Sequence, residues 1–208
     1  MQSLDVVLPL FVILILSLSV HEAAHAWTAD RLGDPTARLL GRLTLNPIAH
    51  IDWIGTVLFP LIALLSGFPL LGWAKPVPVN MSRLGAPRRD FAVVAMAGPI
   101  SNLVMAAGAA LVLRAWTGAG DGVVTLSAPA AILALTVRLN VLLAVFNLLP
   151  IPPLDGGNVL AGLVPEQFAR VIDQLRPYGF LILYAMLFTG TLWTLVGPVQ
   201  EVVLRWLL

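Results

Sequence analysis

Four stretches of this chain, at about 4–28, 91–114, 126–149 and 178–204, each run for roughly 20 residues or more with few charges, the length a helix needs to cross a bilayer. Backbone groups cannot stay unpaired in lipid, so such stretches cross as helices. Composition agrees, since 59% of the 208 residues are hydrophobic and 11% are charged, against roughly a quarter charged in a soluble domain. The chain reads as an all-α polytopic membrane protein, a single domain over 1–208 with four to five transmembrane helices. Its net charge of +1 offers no basic face, which argues against a nucleic-acid partner. The first apolar run lacks a basic flank and a small-residue cleavage site, so it reads as a span rather than a leader.

A fifth apolar stretch, 51–71, is shorter and holds Pro60, Gly67 and Pro69. Arg31, Arg38 and Arg42 precede it; Lys75, Arg83, Arg88 and Arg89 follow it. The positive-inside rule places both loops in the cytoplasm, so 51–71 should enter and return, or lie buried against the bundle. Within those loops "RLLGRLTLN" (38–46) and "GWAKPVPVN" (72–80) alternate apolar with polar or small residues, a strand-like pattern. Pro76 and Pro78 confine the second to an edge. The expectation is a small β element at the membrane edge. Trp27, Trp73, Trp116 and Trp206 fall near predicted span ends, as in an interfacial belt.

The first span ends in "VHEAAHAW" (20–27). His21 and His25, four apart, share one helix face, and Glu22 borders it. Two histidines and a glutamate at this spacing supply two zinc ligands and a general base. Ionisable groups at membrane depth are costly and mark function. With three histidines in the whole chain, chance is a poor explanation of the pattern. No cysteine is present, so a third protein ligand must be His, Asp or Glu. Asp155 is the candidate, in "NLLPIPPLDGGN" (147–158): Pro150, Pro152 and Pro153 stop a regular helix, and Gly156 and Gly157 let the backbone turn. A helix-capping Asp is the plain alternative. Two crossings separate the His pair from Asp155, so both reach the same side if 51–71 does not cross.

"HEAAH", "GPISN" (98–102) and "NLLPIPPLDGG" together resemble the site-2 protease family of intramembrane zinc metalloproteases. "GRLTLNPIAHID" (41–52) and "GWAKPVPVN" resemble its compact bacterial branch without a PDZ domain. The resemblance implies His21, His25 and Asp155 as ligands of one Zn2+ per chain, with Glu22 as catalytic base. Asn147 matches the family's Asn, a donor to the oxyanion or to substrate backbone. It further implies regulated intramembrane proteolysis: a single-span membrane-protein substrate cut in or near its transmembrane segment. The enzyme would sit as a multi-pass protein in the cell membrane, its active site toward the cytoplasm.

His50, Asn46 and Asn102 are candidates to bind substrate or support the site. Asn46 and Pro47 also read as a helix start, Asn102 as an interhelical hydrogen bond and Gly98 as a close-packing position. Arg138 and Asn140 lie inside the 126–149 span, where an Arg should face protein or a wet cavity. An inactive scaffold of the same fold and an ion transporter with a His/Asp site are the competing readings. The intact His21, Glu22, His25 and Asp155 oppose the first, and the lack of paired halves opposes the second.

Overall fold

The computed structural model describes residues 4–66, 72–118 and 127–208. Its helices are α1 (Leu4–Arg31), α2 (Thr36–Leu39), α3 (Phe59–Ser66), α4 (Pro87–Thr117), α5 (Ala128–Asn147), α6 (Asp155–Leu163), α7 (Glu166–Leu175), α8 (Gly179–Phe188) and α9 (Thr191–Leu207). Among the described residues four helical runs are long and apolar enough to cross a membrane: Leu8–Arg31, Pro87–Thr117, Ala128–Asn147 and Glu166–Phe188. The first three coincide with expected spans.

The fourth does not. The stretch expected as one span over 178–204 is cut between α8 and α9, where Gly190 adopts a left-handed φ of +77°. A helix upstream, α7, instead runs through the 3-10 turn Arg176–Tyr178 into α8. Averaged hydropathy barely registers a Thr–Gly pair, whereas a positive φ ends a helix outright.

Helix α4 is the centre of the bundle and packs against α1, α5 and α6. Its Ala106 and Ala110 are buried against Val137, Val141 and Val145 of α5, with Leu187, Leu192 and Val196 closing the cluster. Small residues let these backbones approach closely, which matters where lipid removes most of the hydrophobic drive for helices to associate. Asn140 is fully buried within α5. Arg138, expected to face protein or a wet cavity, is exposed on α5; its long stem lets the charge travel along the helix surface.

No strand occurs among the described residues. Arg38 and Leu39 close α2, and local bonds such as Leu40 N–H to Thr36 O satisfy the backbone that a strand would have offered to a neighbour. Residues 72–80 form neither helix nor strand, and their hydrogen bonds go to His50, to the π-helical turn and to side-chain atoms. Segment 51–71 starts as a π-helical turn, Trp53–Leu58, and continues into α3; residues 67–71 of that expectation lie outside the described residues. Its ends meet again, since Trp73 N–H donates to Gly55 O at 3.2 Å and Lys75 N–H to His50 O at 2.9 Å. Trp27, Trp116 and Trp206 are exposed. Trp73 packs between Phe59 and Phe180, ring centroids 5.1 and 5.3 Å away.

Candidate metal centre

The last turns of α1 carry His21, Glu22 and His25, all buried. Asp155 opens α6 from the opposite side: its Oδ2 lies 3.0 Å from His21 Nε2 and its Oδ1 3.4 Å from His25 Nε2. Ligand atoms of the three residues all lie within 4.8 Å of one another. The proline-rich turn before α6 delivers Asp155 there. A Cβ at Gly156 would meet Leu148 O at 2.3 Å, so the glycine lets α6 start against the end of α5.

The far ring nitrogens decide what the near ones can do. His25 Nδ1 donates to Val94 O at 2.7 Å, because a carbonyl can only accept. His21 Nδ1 meets Asn102 Oδ1 at 2.6 Å. Asn102 Nδ2 donates to Asn140 Oδ1 at 2.8 Å, and Asn140 Nδ2 donates to Thr136 O at 2.9 Å and Ser17 Oγ at 3.0 Å. The Thr136 carbonyl fixes the polarity of the whole relay, so His21 Nδ1 also carries the hydrogen. In the neutral imidazoles both Nε2 atoms then aim lone pairs at a carboxylate.

This arrangement fits a cation and little else. Asp155 Oδ2 is buried without a hydrogen-bond partner, an expense that a bound metal removes. Nδ1-to-carbonyl anchoring of this kind is what orients metal-binding imidazoles. Room comes from Gly98, where a Cβ would stand 2.5 Å from both Nε2 atoms.

The centre borders a cavity of about 480 Å³ lined by Glu22, Trp73, Val77, Asn147, Asn158 and Phe180 among others. Glu22 Oε2 accepts the backbone N–H of Val77 at 3.0 Å. Asn147, the last residue of α5, spends one N–H on Leu143 O at 2.9 Å and faces the cavity.

The remaining candidates divide. Asn102 touches His21. His50 stands apart: it is buried, its Nε2 is paired with Thr44 O at 2.8 Å, and its carbonyl holds Lys75. Asn46 is exposed and caps the 3-10 turn Pro47–Ala49 by accepting Ile48 N–H at 3.1 Å. Neither lines the cavity, because the turn between them directs both toward the loop backbone.

The sequence reading missed Ser17, Val77 and Asn158, and it gave Asn140 no role. Ser17 had a legible signal, a polar side chain one helical turn before His21. Asn158 lies one turn after Asp155, and its buried Oδ1 has no hydrogen-bond partner. Val77 acts through its backbone, which no residue type announces.

Comparison with known proteins bears on this geometry. The family model "Peptidase family M50" matches residues 119–190. The chain is 36% identical over 202 residues to "Putative zinc metalloprotease YwhC" of Bacillus subtilis, covering 94% of this chain and 89% of that one. It is 33% identical over 179 residues to "Putative zinc metalloprotease Rip2" of Mycolicibacterium smegmatis, covering 86% of this chain and 66% of the other. No solved structure matches.

Proposed function

This chain belongs to peptidase family M50 and is a zinc metalloprotease with membrane-length helices; we propose that it cuts a single-span membrane protein within or near the transmembrane segment. The observation that carries the reading is the convergence of three metal-ligating groups beside Glu22, at the end of a helix long enough to cross a bilayer.

His21, His25 and Asp155 would hold one zinc. Bound there, zinc supplies Lewis-acid polarisation of a carbonyl and makes water a nucleophile at neutral pH. Glu22 takes the proton of the attacking water and passes it to the leaving amine. Asn147 offers the cavity a donor for the scissile carbonyl or the substrate backbone. A helical substrate must unwind to expose its peptide bond. The 72–80 segment supports this, since an unwound stretch can lie along the edge that its bonds to His50, Gly55 and Glu22 leave open among the described residues. There, Pro76 and Pro78 offer carbonyls and no N–H.

Segment 51–71 enters the membrane and returns, a reading supported by the pairing of Trp73 with Gly55 and of Lys75 with His50. The basic loops on either side then put the centre toward the cytoplasm of a cell membrane.

The test is purified protein in liposomes with a model single-span protein. Cleavage near the membrane segment, abolished by a chelator and restored by zinc, is the expected outcome. Cleavage unaffected by chelation would contradict the reading.

A further inference from the structure

Glu22 is held by a group that the helix spacing does not supply. Its Oε2 accepts the backbone N–H of Val77, 55 residues away in sequence. Among the described residues no other hydrogen bond to this carboxylate is seen, and Glu22 lines the cavity. The carboxylate is thus tied at one oxygen, leaving the other for water.

The segment that brings Val77 there is itself fixed at several points. Thr56 Oγ1 donates to Trp73 O at 2.8 Å, Lys75 N–H to His50 O at 2.9 Å, and Arg42 Nη2 to Lys75 O at 2.5 Å. Beyond Val77, Asn80 N–H donates to Asp34 Oδ2 at 2.6 Å. In extended chain, alternate residues turn their polar groups to one edge. Trp73 and the Lys75 N–H bond to residues 50–56, the Lys75 carbonyl to Arg42, and Val77, next in the alternation, meets Glu22. Pro76 and Pro78 on either side have no N–H to give, so a one-residue slip of the strap would leave Glu22 without a donor.

We propose that Val77 is a positioning residue, whose backbone N–H orients the Glu22 carboxylate toward the attacking water. The proposal rests on the reading of Glu22 as general base. A charge-assisted bond is short and directional, and it fixes side-chain torsions that a glutamate at a cavity wall otherwise samples. Seating of the strap and orientation of the base are therefore one event.

The experiment removes the N–H and little else. Incorporating the α-hydroxy analogue of valine at position 77 turns the 76–77 amide into an ester. The zinc-loaded enzyme is assayed on a model single-span protein, beside the parental chain, Val77→Ala, Val77→Pro and Glu22→Ala. The expected result is a kcat lower by on the order of 10²-fold in the ester variant, with KM and zinc content at parental values. Val77→Pro, compatible with the Pro76–Pro78 run, shows the same split, and Val77→Ala, which keeps the N–H, loses less kcat than either. Parental kcat in the ester variant, or a loss that appears in KM or zinc content instead, overturns the role of Val77. Cleavage by Glu22→Ala overturns the base reading beneath it, and the proposal with it.

Discussion

The histidine pair and the 72–80 strap face each other across one cavity, yet they are secured by different means. His21 is held by the side chains of Asn102, Asn140 and Ser17, which stand on three packed helices. The strap is held largely through its own backbone, by His50 O, Arg42, Glu22 and Asp34. A helical site is specified by residue types at set spacings. The strap is specified by the partners its backbone finds, and many side chains at its positions would leave those bonds intact.

The comparison breaks first at Asp155. Asp155→Ala removes the ligand from α6 and should abolish both zinc retention and cleavage, measured by metal analysis and substrate assay; a zinc-loaded variant would exclude Asp155 as a ligand. Gly98→Ala comes next. Its Cβ would stand 2.5 Å from both imidazoles, and the Nδ1 bonds to Asn102 and Val94 oppose their turning aside. Zinc affinity should fall by on the order of 10²-fold, read by competition with a chelator, while parental affinity would mean the two helices shift freely.

Asn102→Ala sharpens the contrast more gently. It leaves His21 Nδ1 without its acceptor and should weaken zinc by roughly 10- to 100-fold, with the same readout. An unchanged affinity would reduce the Asn102–Asn140 relay to ordinary helix packing.

Asp34→Asn probes the strap. Burial opposes the charge of Asp34, but the Thr36 hydroxyl, the N–H groups of Asn80 and Thr36 and nearby Arg83 outweigh it and hold the carboxyl below its ordinary 3.8. Because the folded value is lowered, this stabilisation is fully present above about pH 4 and drains away as pH falls through the lowered value. Asp34→Asn should therefore cost about 1–3 kcal/mol near neutral pH and progressively less below pH 4. Thermal unfolding in detergent at several pH values reads this; a gap independent of pH would mean that the charge of Asp34 is not what holds Asn80.

Much of the centre was legible in the sequence because helices repeat. Four-residue spacing joined His21 to His25, and hydropathy with loop charge brought Asp155 to the same side. Gly98 and Asn102 in "GPISN" read as packing residues, and they are, though what they pack against is the histidine pair of the candidate centre. The break at Gly190 was hidden because hydropathy is an average and a reversal of φ is not. The strand expected at 38–46 failed because α2 satisfies its own backbone locally. Period-two alternation in 72–80 reappears as the alternate residues 73, 75 and 77 that make the strap's backbone bonds, but pairing depends on a partner, and here the partners are residues 50–56, an arginine and Glu22.

The central claim is that metal binding and proton transfer belong to different residues of "HEAAH". Glu22→Ala, purified beside His21→Ala and assayed for zinc content and for cleavage of a single-span protein, tests it most directly. The account predicts one zinc per chain and no cleavage for Glu22→Ala, and loss of both for His21→Ala. A Glu22→Ala enzyme that cuts its substrate at the parental rate would contradict it.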